Sequence, residues 1–420
     1  MATDVDVQFF SHLNGLALGN NWGDLIRLLD KALVNGIDFT SITAASIDAQ
    51  GDVHITLYAA HNAMLFQVVE LSGFTPASLN QKYRIKGVPN ATQLILKPHT
   101  TIVETSIATV GAGKLAPLGY EIIFRDANDV KRVYRAKNPT SQHPFIRVDE
   151  SLSDGTNSYN SSYAKYAMVG LLEHMDHIDD YQNPDVLQLP FDPSDPSKNW
   201  KITGTGTGVV RGWSRWYYAL ATAPQAGGNH YDSDAPVAGG RSFLITGNLD
   251  AFYFQGQNNP GTSAYLRGCG IFNSSLPDSI IPNWFLMSTL KTVGASTGSV
   301  FRSIIGSVPF YYSTTTASFF VPTFNEADKL AGHVRAEPII PSLSSGIANE
   351  YSANSVAALE VPFFDASKFL RGSLKHVYYN GKSVSSGPSV PITSIHGGSM
   401  YVNFPDSTVS TVLYYLGELE

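Results

Sequence analysis

The chain has 420 residues and a formal net charge of -7, with 15% charged and 11% aromatic residues, 36 glycines, 23 prolines and one cysteine. That length can bury a sizeable core. The acidic balance without a long basic run argues against a nucleic-acid surface, and the single Cys269 excludes an intrachain disulfide framework. Low charge with a normal hydrophobic share argues against disorder, and abundant turn formers beside many aromatics point to a mainly β protein. The expected architecture is antiparallel sheets in small barrel and sandwich modules, with a few short helices.

Residues 1–40 read as an N-terminal helical segment. The start, Met1 to Asp6, is acidic and has no apolar core of a signal peptide. No apolar run approaches the roughly 20 residues needed to span a membrane. The expectation is therefore a soluble protein made in a cytoplasm, with no membrane partner. Asn20-Asn21 can cap a helix carrying Trp22, Leu25, Ile26, Leu29 and Leu33 at helical spacing, and Asn35-Gly36 can end it. Residues 41–110 read as a small barrel or sandwich, with alternating runs at 53–57, 66–71, 83–88 and 93–96 and one more strand at 102–107. His61 stands without a partner at ligand spacing and reads as a turn or packing histidine.

A central β-rich domain is expected over 111–334. Its clearest stretch is Leu118 to Val148, where Tyr120, Ile122 and Phe124 alternate with Glu121, Ile123 and Arg125 before Asp/Asn and Asn-Pro turns. This is the pattern of an antiparallel meander. A Ser/Asp/Asn-rich loop follows at 151–162. A short helix is expected near 163–180, with strand plus turn as the alternative. If helical, Glu173, Asp176, His177 and Asp180 share one face, a weak candidate metal set. The spacing is not that of His-Glu-x-x-His, and no further His or Cys cluster completes a site, so no metal is expected. The ordinary reading of these four is a polar network or a subunit contact.

A proline-punctuated loop runs from Pro184 to Trp200, followed by Gly204-Thr205-Gly206-Thr207-Gly208. This glycine run lacks the Lys-Ser/Thr and helix of a phosphate-binding loop, so it reads as a turn entering a strand. Arg211, Trp213, Arg215, Trp216 and Tyr217 then place arginines among aromatics. Such a cluster can stack on sugar rings or form an interface, although strand aromatics more often lie in a core. Arg241 to Phe254 reads as a hairpin around Asn248-Leu249-Asp250. Residues 335–420 read as a C-terminal β lobe, or as strands that complete the central sheet.

Several pieces occur in an order that resembles a family of uncharacterised virion proteins of tailed bacteriophages and prophages. They are Leu118-Gly119-Tyr120-Glu121 through Phe124, Tyr134-Arg135 before Pro139, and Ile146-Arg147-Val148-Asp149. Tyr163-Ala164 leading to Met175-Asp176 and Asp179, and Arg211-Gly212-Trp213 before Arg215-Trp216-Tyr217-Tyr218, complete the order. An Ala60-His61 pair before Val68 to Gly73 is similar to a segment of phage tail proteins. The resemblance covers roughly residues 20 to 260. It implies a structural subunit of a tail, baseplate or collar, not an enzyme. Its partners would be other virion proteins and further copies of itself in a trimer or hexameric ring, with assembly in the bacterial host cytoplasm.

The chain shows no Gly-x-Ser-x-Gly elbow, Walker loop or dinucleotide fingerprint, and no cofactor is expected. The alternative function is a receptor-binding or glycan-processing tail protein. The aromatic–arginine run and the acidic loops motivate it. A β-helix depolymerase would show a regular short period, which is not seen.

Overall fold

Among the described residues most alternating and continuous apolar runs become strands, and they pair antiparallel. The computed structural model describes residues 3–152, 163–203, 210–221, 235–261, 264–277, 282–290, 304–305, 319–324, 332–339, 358–380, 389–405 and 412–419. Among these residues three large sheets of seven, eight and thirteen strands form, and all their ladders are antiparallel. The protein is mainly β. No helix among the described residues is long and apolar enough to cross a membrane.

The seven-stranded sheet occupies residues 37–115. Its edges are Ile37–Asp38 and Ile42–Ile47, which no ladder joins. Only residues 39–41 connect these edges, a reach of about 14 Å at ~3.5 Å per residue. Seven flat strands at ~4.8 Å spacing would hold the edges about 29 Å apart. The sheet therefore curls into an open half-barrel. Its strands include the runs expected at 53–57 and 93–96, but the strand expected at 102–107 is not formed, and the last strand of the sheet is Ala112–Leu115. In Val53–Leu57 the alternation expected from sequence is visible as burial of Val53, Ile55 and Leu57 with His54 and Thr56 half-exposed.

The eight-stranded sheet contains the meander. Tyr120–Arg125, Lys131–Ala136, Phe145–Asp149, Lys165–Leu172 and Ser214–Ala219 lie side by side, continued by Thr289–Leu290. The helix expected near 163–180 is not formed. Lys165–Leu172 is a strand buried along its whole length, and residues 173–180 are turns. The physical reason is double-sided burial. Tyr166 to Leu172 is a continuous apolar run, which suits an interior strand and leaves no polar helical face.

The thirteen-stranded sheet begins with Gln8–Ser11, paired to Phe243–Gly247, and continues through Ala251–Gln257, Ala264–Ile271 and Trp284–Met287. Phe319–Pro322 and His333–Pro338 lead to Ala358–Asp365, Leu370–Asn380, Val412–Glu418 and the hairpin at 392–403. The described strands between residues 335 and 420 therefore extend this sheet, the alternative to a distinct lobe. Residues 1–40 hold the expected helix, but their first strand, Gln8–Ser11, opens the same sheet.

This sheet folds back on itself. Phe252 faces Trp216 and Tyr120 of the eight-stranded sheet at 5.9 and 5.6 Å between ring centroids. Its neighbour Tyr253 points the other way, against Tyr414 at 5.8 Å and Phe285 at 5.6 Å. Period two thus builds three layers with Ala251–Gln257 in the middle, buried at every position. Two large apolar clusters fill the two gaps.

The helix Asp24–Leu29 runs on into a wider turn, Asp30–Asn35, and buries Leu25, Ile26, Leu28, Leu29, Ala32 and Leu33. The expected Asn20-Asn21 cap is not used. The residue before the helix is Gly23, with φ +86° and no side-chain cap of its own. The cap comes instead from Glu150, 127 residues away, which accepts the Gly23 amide.

Candidate functional site

Of the sites named from sequence, Arg215, Trp216 and Tyr217 lie on the strand Ser214–Ala219 of the eight-stranded sheet, Arg211 and Trp213 just before it, and Glu173 to Asp180 in the turns that follow the neighbouring strand Lys165–Leu172. In Ser214–Ala219 alternate side chains take opposite faces. Trp216 and Tyr218 face the large sheet, and Trp216 donates its Nε1–H to Met287 O at 2.9 Å. Arg215 and Tyr217 face outward, where Tyr166 pairs opposite Tyr217. Gly212, at φ +61°, turns the chain into this strand, and a Cβ there would stand 2.4 Å from Asn199 O.

On the outer face the arginines cover the rings. Arg215 lies over Tyr166 at 4.3 Å. Arg211 lies between Tyr166 at 4.6 Å and Trp22 at 4.4 Å, and donates from Nε to Ser151 O at 2.7 Å. Tyr166 and Tyr217 are 5.0 Å apart, and Arg215 Nη1 donates to Tyr217 Oη at 3.0 Å. A second layer follows the same plan. Arg147 lies over Trp200 at 4.5 Å and Tyr181 at 4.8 Å, and pairs with Asp149 at 3.0 Å and Asp179 at 2.7 Å.

Arg211, Arg215, Trp216 and Tyr217 are buried, and Trp213 is half-buried with His333 at 4.8 Å and Lys198 over its ring at 4.4 Å. Stacking on a sugar needs an open ring face. The outward Tyr166 ring meets arginines of this chain, and Trp216 is part of the core.

Glu173, Asp176, His177 and Asp180 do not share a face. Asp176 N–H donates to Asp180 Oδ2 at 2.8 Å, Asp179 N–H to His177 Nδ1 at 3.3 Å, and Glu173 N–H to Leu187 O at 2.9 Å. They build a turn. Among the described residues no three His, Cys, Asp or Glu side chains converge as a metal-ligand group. His61 is a turn histidine, accepting Ala63 N–H at Nδ1 (2.8 Å), and burial lowers its pKa. The run Gly204 to Gly208 lies outside the described residues, but Ile202–Thr203 and Val210–Arg211 on either side pair as a ladder.

No family model and no curated protein matches this chain.

Two polar nodes were not singled out by sequence, since each joins segments more than a hundred residues apart. In the first, Thr140 N–H donates to His143 Nδ1 at 2.9 Å, so the ring proton sits on Nε2 and points at Asp250 Oδ1, also at 2.9 Å. Lys375 Nζ completes the node at 2.5 Å from Asp250 Oδ2. The His143 hydrogen bond, with Lys375 in support, holds the Asp250 carboxyl well below the usual carboxylate range.

In the second node, Glu150 is wholly buried. It accepts Gly23 N–H at 2.6 Å and Ile26 N–H at 2.8 Å, and lies 2.6 Å from Tyr218 Oη. Burial pushes its carboxyl up to about 7, against the pull of those donors and of Arg211. Deeper along the same helix, Asp30 pairs with Arg132 at 3.1 Å and accepts Tyr134 Oη–H at 2.7 Å. Both nodes fasten loops and helix to sheets.

Proposed function

We propose that this chain is a structural component of a tailed-phage virion, in the tail, baseplate or collar. It would assemble through contacts with further copies of itself, in a trimer or hexameric ring, and with neighbouring virion proteins. The observation that carries this reading is where the chain places its arginines. Among the largest fully buried side chains of the described residues, seven are arginines. Arg84 alone donates to backbone carbonyls of Asp4, Val7, Phe66 and Leu416. Arg241 holds Leu18, Gly19 and Asn258 by their carbonyls, and Arg371 holds Pro322. A guanidinium fork inside the fold is a multi-point brace. Cross-bracing of distant strands suits a part that bears load within a particle. The order of motifs between Leu118 and Tyr218 supports the same reading.

The test is mass spectrometry of purified particles with tails separated from heads. The expected result is this chain in the tail fraction, at a fixed ratio to a known sixfold component. Absence from particles would overturn the proposal. Glycan binding or hydrolysis by the isolated protein would then favour a receptor-binding or glycan-processing role.

A further inference from the structure

The Glu150 node has more contacts than hydrogens if Glu150 is ionised. Tyr218 Oη lies 2.6 Å from Glu150 Oε2 and 2.8 Å from the Asn21 carbonyl oxygen. Both distances are those of hydrogen bonds. A backbone carbonyl only accepts, and a tyrosine hydroxyl has one hydrogen to donate. With an ionised Glu150, one of the two contacts would be an oxygen facing an oxygen with no hydrogen between them, inside a buried site. A proton on Glu150 Oε2 removes the conflict. Oε2–H then donates to Tyr218 Oη, and Tyr218 Oη–H donates to Asn21 O. Gly23 N–H still donates to Oε2, and Ile26 N–H to the carboxyl's other oxygen.

The geometry points to a proton-held latch: Glu150 is neutral in the native protein, and its proton completes a relay through Tyr218 that fastens residues 21–23 and the helix behind them to the eight-stranded sheet. Loss of that proton leaves Tyr218 able to serve Glu150 or Asn21, not both; when it serves Glu150, the Asn21 carbonyl keeps only the Asp24 N–H, at 3.2 Å, and loses its tie to the sheet. The latch is a property of the single chain and does not depend on the assembly reading.

The charged and titratable groups around the node come from every element packed on it. They are Tyr218 on its strand, Arg211 beside it, Tyr134 on the next sheet strand, and Asp24 and Arg27 on the helix. Arg211 favours the ionised form but is itself covered by Trp22 and Tyr166. The burial of Glu150 outweighs it and sets the switching range near neutrality, at about 7. Trp22 lies inside the latched segment, under Arg211 and edge-on to Tyr166 at 6.0 Å, so release moves an indole.

The sign of the effect is fixed by linkage. The folded value, about 7, lies above the ordinary glutamate value of 4.5, so stability from this group is full below 4.5 and is lost as pH rises through 7. The corresponding change in the unfolding equilibrium constant is on the order of 100-fold between pH 4.5 and 8.

The experiment is isotope-edited infrared spectroscopy of the full chain labelled with 13C-glutamate at the side-chain carboxyl, titrated from pH 5.5 to 8.5. A protonated-carboxyl stretch that persists at pH 6, fades with a midpoint near 7 and is missing in Glu150→Gln is the expected result. Trp22 emission should change over the same interval, identified by its loss in Trp22→Phe. No protonated band at pH 6, or the same band and midpoint in Glu150→Gln, overturns the proposal. If Glu150→Gln does not fold, the spectrum of the unsubstituted chain decides alone, because ordinary carboxylates are already ionised at pH 6.

Discussion

Replacing Arg84 with methionine keeps most of the apolar stem and removes the guanidinium. Arg84 is fully buried at the junction of the N-terminal strand, the half-barrel and the last strand of the large sheet. Its five N–H···O bonds reach four carbonyls: Asp4 twice, at 2.9 and 2.6 Å, Val7 at 3.0 Å, Phe66 at 2.7 Å and Leu416 at 2.8 Å. Asp4 is exposed, and water can replace its bonds. The other three carbonyls lie deeper. Leaving a buried acceptor unsatisfied costs about 1–3 kcal/mol, so three give about 3–9 kcal/mol. Relief from burying a cation offsets part of that. The expected net loss is about 3–5 kcal/mol, read as a lower urea midpoint with an unchanged slope. Hydrogen exchange should also speed up in residues 4–11 and 412–418, which this one side chain joins. Arg84→Lys should fall between, since an ammonium has three donors on one atom and cannot span the same carbonyls. Arg125→Met, at an exposed position on Tyr120–Arg125, is the control and should stay within about 0.5 kcal/mol. A loss below about 1 kcal/mol in Arg84→Met, with unchanged exchange at both termini, would refute the bracing argument.

Phe252→Ala should cost about 3–5 kcal/mol in denaturant unfolding, because the ring is wholly buried between Trp216 and Tyr120; a cost under 1 kcal/mol would mean that the middle layer is not packed as described. Asp250 has a folded pKa depressed by His143 and Lys375, so its stability is present above the ordinary aspartate value near 4 and is lost as pH falls below it. Asp250→Asn should therefore be less stable at pH 7 and should lose less stability on acidification than the unsubstituted chain; parallel acid titrations of the two would contradict this. Cys269 is buried, and burial pushes its thiol up, so a disulfide exchange reagent should label it only as the protein unfolds. Rapid labelling of the native chain would show that the large sheet opens locally at Ala264–Ile271.

Val53–Leu57 was legible because one face is buried and the other half-exposed, so its side chains alternate. Tyr120–Arg125 was legible from its sequence alternation and the Asp/Asn turn after it, although Ile122, Ile123 and Phe124 are all half-buried. Lys165–Leu172 was ambiguous because both of its faces are covered, which erases the period that separates strand from helix. The Arg211 to Tyr217 cluster was visible as a cluster, but its exposure was not. Whether a ring is free or covered depends on Trp22, Tyr166 and Phe252, which come from other parts of the chain.

The sequence alone determined the class, a mainly β chain whose sheets are antiparallel, because period and turn chemistry are local properties of the backbone and its side chains. Tertiary structure decided the rest. That residues 8–11 and the described strands between 335 and 420 belong to one sheet, that this sheet folds back into two layers, and that a glutamate caps a helix 127 residues away all follow from long-range pairing. Such pairing is chosen by the total area and hydrogen bonds it satisfies, a sum over the whole chain that no local window contains.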